Sequence, residues 1–481
     1  MGNRPIPWSV LRKDGFIQLI DLLVKHAQYL ITMDEQRRII RDGALAIHNG
    51  FIKAVGKTDE IDKEFPEARE VINAQDGVIT PGFIDGHFHT TVQLARGLGD
   101  NTTLPVYLHE RIYPVEASLS EEESYISAVC ALIESVRHGT TCLCDPGAQK
   151  PEAVVRAVGD MGSRAIVSRS LTDMGGGRNL PGTFNLTAKE AVAAGEAFVK
   201  SLSSSDNSHI RAWFSLRTER MVSDELSQKV AQLAEQYQVG IISHMCSAQD
   251  SVEHHQKIFS GQRPIERYEK NGLLGPNLLL IHAHWLESEE MDLLATHQVK
   301  VVDCPTACVT VGMGGFSRAT QIELLKRGIC VCLGCDQSGA SNTMDLLRVG
   351  QYFRVYQDIL EDSSAVTPEL ILELLTINGA KALLWEDEIG SLEVGKRADL
   401  IIFDTQRPEW VPLHNPVSTI ANATSGDAVK TVVIDGKIIL LDGQFISIDA
   451  QEFLKQGNKI AAKAAARLGL DKFARPRWPI T

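Results

Sequence analysis

The sequence predicts an α/β protein: a (β/α)₈ TIM barrel carrying a small composite β-sandwich domain built from both chain ends. Three observations predict it. Eight short apolar runs alternate with segments of helical period through the middle of the chain. Strand-and-turn patterns without helices flank that region on both sides. Several of the eight runs finish, at the same end, on an ionisable residue, which in a parallel barrel is the face where the βα loops gather.

The elements follow in order. Phe16–Ile20, Ala44–Ile47, Ile52–Val55 and Val71–Ile72 read as strands, punctuated by Asn49-Gly50 and followed by Asp76-Gly77. The same texture returns in Ala398–Phe403 and Val429–Ile434. The latter leads through Asp435-Gly436, a hairpin signal, into Lys437–Leu440. Residues 16–80 and 391–445 are therefore expected to form the small β-sandwich domain. Residues 81–390 form the barrel. Its strand candidates are Gly77–His87, Thr141–Cys144, Ala165–Ser168, Ile210–Ser215, Gly240–His244, Leu278–His282, Val301–Cys304 and Cys330–Cys335. Helical segments Glu121–Val136, Ser223–Tyr237, Glu287–His297 and Thr320–Arg327 fall between several of them. A doubly wound open sheet is the structural alternative. Residues 446–481 read as a helical tail: Gln451–Leu468 is helical and rich in Ala and Lys, with Lys459–Arg467 solvated or packed against another copy of the chain.

Composition limits the functional classes. The 481 residues carry a net charge of −13, which argues against nucleic acid as a partner, since that needs a basic stripe. No apolar run approaches the roughly 18 residues of a membrane span. The nine cysteines all lie between Cys130 and Cys335; an odd number in a chain this long is no secreted disulfide framework. Met1–Pro7 offers no apolar core followed by a small-residue cleavage site. The expected setting is cytoplasmic, with a small-molecule substrate and a homo-oligomer, a dimer or tetramer.

The first barrel run ends Gly86-His87-Phe88-His89. Residues i and i+2 of a strand share a face, so His-x-His aims two imidazoles at one point. The fifth run ends at His244, the sixth at His282 and the eighth at Asp336. An ionised Asp or unpaired His ending a buried strand is costly as plain core. His87, His89, His244 and Asp336 thus make a plausible open metal site.

Those residues, with Pro81-Gly82-Phe83-Ile84-Asp85-Gly86-His87-Phe88-His89, Gly334-Cys335-Asp336 and the segment from Ile389 to Leu400, resemble the amidohydrolase superfamily. Within it the chain is similar to the branch of atrazine chlorohydrolase and the aminohydrolases, and further to its herbicide-cleaving molinate and phenylurea hydrolases. The resemblance implies that His87, His89, His244 and Asp336 are metal ligands. It places His282 against the activated water or the substrate. Two-metal members often carry a Lys at the end of strand four; here Ile210–Arg217 contains none, so one divalent ion per chain is expected. Zinc, cobalt, iron and manganese all suit such a site.

One departure matters. Deaminases of this branch read His-x-x-Glu at strand five, whereas this chain reads His244-Met245-Cys246-Ser247. Serine does no acid–base work at neutral pH, so the proton-accepting role shifts to His282, with Asp336 orienting the water. Tyr107, Trp285, Met313 and Phe316 read either as an apolar substrate wall or as plain core. The expected activity is hydrolysis, by metal-activated water, of a (thio)carbamate or phenylurea carbonyl bond in a small apolar xenobiotic such as molinate. The alternatives are a deaminase or dechlorinase of an N-heterocycle (triazine, purine or pterin) and a catalytically inactive scaffold.

Other motifs have plainer readings. Cys304, Cys308, Cys332 and Cys335 admit a Cys₄ zinc site, but buried thiols inside strands are ordinary core. His254-His255 reads as surface, with a loop over the mouth as the alternative, and His284 as the packed start of a loop. The run Met174-Gly175-Gly176-Gly177-Arg178 lacks a phosphate-cradle pattern and reads as a mobile loop.

Overall fold

The computed structural model describes residues 19–175, 184–203, 208–361, 365–473, 475 and 478. The start of the expected first strand, 16–18, and residues 176–178 of the glycine run lie outside them. No helix among the described residues is long and apolar enough to cross a membrane.

Eight strands form the barrel in sequential order: Phe83–Asp85, Thr140–Ala148, Arg164–Leu171, Ile210–Thr218, Ile241–Met245, Leu278–His282, Lys300–Asp303 and Val331–Leu333. Every neighbouring pair is parallel. Two backbone bonds close the seam between the last strand and the first: Gly86 N–H to Leu333 O at 2.9 Å and Asp336 N–H to His87 O at 2.8 Å. The seam needs Gly334, because a Cβ there would stand 2.8 Å from the His87 nitrogen. The single strand expected over Gly77–His87 is two strands. Gly77–Pro81 joins the small sheet and Phe83–Asp85 starts the barrel. They divide at Gly82, where a Cβ would strike the Thr141 side chain at 2.1 Å.

The chain ends build one nine-stranded sheet. Its longest strand is Ile20–Ile31, not the short Phe16–Ile20 that the sequence suggests. It pairs with Ala68–Asn73 along its first half and Gly77–Pro81 along its second, and its register against the neighbouring strand Ile39–His48 shifts between Val24 and Ala27. Asn49-Gly50 and Asp435-Gly436 both have positive φ at both residues, the signature of two-residue type I′ hairpins. Leu22, Val24, Leu45, Ile79, Leu400 and Ile402 share one buried cluster, so strands from both chain ends enclose a common core.

Arg164, at the amino end of the third barrel strand, is fully buried and ties the two parts together. It donates to both oxygens of Asp399 (2.6 and 3.1 Å) and to Asp435 (2.8 Å). Although burial pushes the Asp435 carboxyl up, the hydrogen bond from His209 and the charges of Arg164 and Arg397 hold it well below its ordinary range. Its stabilisation is therefore complete above that range and is lost as pH falls through the depressed value. Removing one partner of a buried pair leaves the other uncompensated, so Arg164→Ala is expected to cost about 3–5 kcal/mol in denaturant unfolding. Metal content should be kept, because Arg164 sits at the barrel end opposite the histidines.

The tail helix, Ala450–Arg467, is not simply solvated. It docks on the helix Glu121–Arg137, with Gly457 over the Cys130 sulfur and Phe453 edge-on to Tyr125. All nine cysteines are free, and eight are buried. Cys304, Cys308 and Cys332 pack in one apolar cluster and Cys335 in another.

Candidate active site

The carboxyl ends of strands one, five, six and eight bring His87, His89, His244, His282 and Asp336 together. His87 Nε2 lies 3.2 Å from Asp336 Oδ1, His89 Nε2 3.8 Å from the same oxygen, and His282 Nε2 3.8 Å from Oδ2. The Nε2 atoms of His89 and His244 face each other at 3.3 Å. One donor atom from each of His87, His89 and Asp336 falls within 4.8 Å of the others, as does one from each of His87, His244 and His282. Among the described residues these are the groups with donor atoms close enough for a metal ion.

Several of these groups are aimed or anchored by local contacts. His244 Nδ1–H donates to the Arg217 carbonyl at 2.7 Å, which leaves the Nε2 lone pair directed into the site. The Asp85 Oδ1 accepts from the backbone N–H of His87 and of Cys335, both at 3.1 Å, and so fixes the two strand ends that carry ligands. His282 and Asp336 hold φ of 71° and 63°, a region that side chains rarely occupy. Such strain persists where surrounding structure enforces it, commonly at functional sites. The Gln321 side chain anchors the His282 carbonyl at 2.6 Å.

Electrostatics agrees. Burial pushes His87 down to about 3, and pushes His89, His244 and His282 well below the ordinary histidine range. All four imidazoles are therefore neutral near pH 7, the form that ligates metal. Burial also raises Asp336 in the bare chain; a cation beside it reverses that preference. Asp85 is raised to about 7, again by burial first.

A small cavity of about 40 Å³ opens above these groups. Tyr107 and Met313 line it, as do Tyr113, Arg217, Ser247 and Gln337. The Tyr107 hydroxyl donates to Gln337 at 2.8 Å. Trp285 is not on this wall. It is half-buried behind it, its indole N–H donating to the Met313 carbonyl at 3.0 Å, so it props the loop that presents Met313. The Phe316 backbone lies in the short turn Gly315–Ser317, and its side chain lies outside the described residues. His255 corrects the surface reading: it is fully buried, with its ring 4.6 Å from Phe259. His284 packs under His282 and donates to Asp303 at 2.8 Å.

Two arginines were not singled out from the sequence. Arg217 ends strand four and pairs with Glu116 of the segment Tyr113–Ser118 at 3.0 and 3.2 Å, which fastens that segment across the mouth. Arg220 follows three residues later. Their signal is position: Arg217 is the penultimate residue of the strand Ile210–Thr218, and Arg220 lies in the turn that follows.

Barrel, composite sheet and a His/Asp cluster at the carboxyl face define a metal-dependent hydrolase. The chain belongs to the amidohydrolase family, whose model matches residues 78–439. It is 30% identical over 444 residues to the 5'-deoxyadenosine deaminase of Methanobrevibacter smithii, covering 91% of this chain and 97% of that protein. It is 30% identical over 454 residues to the 5-methylthioadenosine/S-adenosylhomocysteine deaminase of Desulforamulus reducens, covering 93% and 99%. Among solved structures, an adenosine deaminase from Xanthomonas campestris with bound zinc superposes with a TM-score of 0.87 at 26% identity, covering 93% of this chain and 99% of the other. Atrazine chlorohydrolase from Arthrobacter aurescens complexed with zinc has the same fold, with a TM-score of 0.81 at 22% identity, covering 92% and 100%. These likenesses favour the N-heterocycle alternative over the carbamate and phenylurea reading.

Proposed function

We propose that this chain hydrolyses an exocyclic substituent off a carbon of an aromatic N-heterocycle, with a purine nucleoside as the first class to test. The observation that carries the reading is full-length similarity to adenosine-type deaminases in a chain that keeps His87, His89, His244, His282 and Asp336. Neither a thiocarbamate nor a phenylurea has comparable support. His87, His89, His244 and Asp336 are the proposed ligands of one divalent ion, with zinc favoured by the zinc-bound neighbours. Such an ion activates water and polarises the carbon under attack. The chain's own residues do the rest. His282, neutral and buried beside Asp336, accepts the proton of the attacking water. Asp336 orients that water, and Tyr107 and Met313 exclude solvent from the ring.

Ser247 favours a second reading of the leaving group. It lines the cavity where related deaminases carry a glutamate, and it cannot protonate a departing amine. A group that leaves as a stable anion needs no such proton. General acid help typically contributes about 10²–10⁴-fold. 6-Chloropurine riboside should therefore be hydrolysed at least about 10²-fold faster than adenosine, measured as kcat/KM on the zinc-loaded protein. Ser247→Glu should narrow that gap by raising ammonia release. Equal rates for the two nucleosides would show that another group supplies the proton. No turnover of either, with a thiocarbamate or phenylurea hydrolysed instead, would return the assignment to carbonyl substrates.

A further inference from the structure

Arg220 sits in the turn after strand four, where Met221 N–H donates to the Thr218 carbonyl at 3.0 Å. Its side chain lines both the inner cavity and an outer pocket that shares Leu104, Leu108 and Tyr113 with it. The two arginines of the inner wall differ in one respect. Arg217 is neutralised by Glu116 through two hydrogen bonds. The Arg220 guanidinium donates no hydrogen bond among the described residues, and its Nε is sealed from solvent without a partner. The nearest carboxylate oxygen, Glu219 Oε1, stands 4.0 Å away. Glu219 accepts the Thr218 hydroxyl; burial pushes its carboxyl up and the charge of Arg220 pulls it back, so at 4.0 Å it offers Arg220 a counter-charge but no hydrogen bond. Guanidinium stays charged at any working pH and presents a planar fork of donors. Apart from Asp336, which faces the histidines, the inner cavity wall carries no carboxylate, whereas the outer pocket carries Asp250 and Glu253 together with Lys257 and His254.

We propose that the substrate carries an oxyanion, a carboxylate or a phosphate, and that Arg220 is the specificity-determining residue that binds it at the neck between the inner cavity and the outer pocket. This rests on the inner cavity being the active site, and it deepens the heterocycle reading by adding a charge to the substrate class. The inner cavity holds the reacting carbon near His282 and Asp336, while the anion lies toward the entrance.

Matched neutral and anionic ligands test it through binding rather than turnover. Calorimetry on the zinc-loaded full chain would compare adenosine with adenosine 5'-carboxylic acid and with adenosine 5'-monophosphate, and phenylurea with 4-carboxyphenylurea. A charge-assisted, bidentate contact predicts an anion preference in Kd of about tenfold or more in at least one pair. In Arg220→Gln the ratio should fall to within about twofold, while Arg220→Lys keeps part of it. Far-ultraviolet circular dichroism and zinc content check that both variants are folded. An anion preference that persists in Arg220→Gln, as a carboxylate held by the metal would give, overturns the proposal; so does the absence of a preference in every pair. A preference confined to the phenylurea pair upholds Arg220 and removes the purine assignment. The two anionic adenosines decide between carboxylate and phosphate.

Discussion

His87→Ala or His244→Ala is expected to strip the bound metal and lower kcat/KM by at least about 10³-fold. Each 1.36 kcal/mol of lost transition-state stabilisation is a factor of ten, and the ion is worth several kcal/mol. The two positions test different supports. His87 is buried on a strand end fixed by Asp85 and by the seam bond from its own carbonyl to Asp336 N–H. His244 is aimed by the Arg217 carbonyl. Because the four imidazoles are neutral and buried, removing one leaves a small cavity and no unpaired charge, so the fold should survive while the metal is lost. Elemental analysis of the purified variants, read beside kcat/KM, checks this. Full metal content in His244→Ala would remove His244 from the ligand set.

The site was legible in the sequence because its chemistry sits at strand ends. An apolar run that stops on His87, His244, His282 or Asp336 has few explanations as core, and the barrel brings such ends to one face. The hairpins at Asn49-Gly50 and Asp435-Gly436 were legible for a similar reason, since consecutive positive φ values select those residues. The strand Ile20–Ile31 was not. Its pattern of buried positions does not alternate cleanly, and an apolar run of that kind does not declare its period. The division at Gly82 also escaped, because the close approach that requires glycine there comes from Thr141, nearly sixty residues away.

The cavity wall was only partly legible. An aromatic or methionine in a loop is equally suited to lining a cavity and to supporting the residue that does. Tyr107 and Met313 do the first, and Trp285 does the second. Sequence distance gives no means of separating them, since Trp285 reaches Met313 across a loop. Arg217 is not legible for a different reason: its partner Glu116 lies about a hundred residues away, in the segment Tyr113–Ser118, and neither residue belongs to a local motif. His254 and His255 separate on a helix whose inner face is buried; His254 lines the outer pocket and His255 packs inside.

His282→Asn is expected to lower kcat by about 10²–10⁴-fold, the usual contribution of a general acid–base group, while leaving metal content near the wild-type level. The ring is buried at the end of strand six, its carbonyl pinned by Gln321 and its Nε2 3.8 Å from Asp336. The sequence alone suggests a histidine titrating near 6.5. Burial instead pushes the imidazole well below that value. The sign follows: the neutral, proton-accepting form is the active one, so activity is lost only as pH falls through the depressed value. The wild-type pH profile should stay flat through the ordinary histidine range, and its acid limb should lie below it. In the variant that limb should move or vanish if His282 is the group that titrates. Measuring kcat, metal content and the pH profile on the same preparations separates the roles. Loss of metal on substitution would make His282 a ligand, consistent with its Nε2 lying in one group with His87 and His244. Unchanged kcat with full metal would exclude it from proton transfer, leaving Asp336 as the one remaining acceptor at the convergence point of these strands.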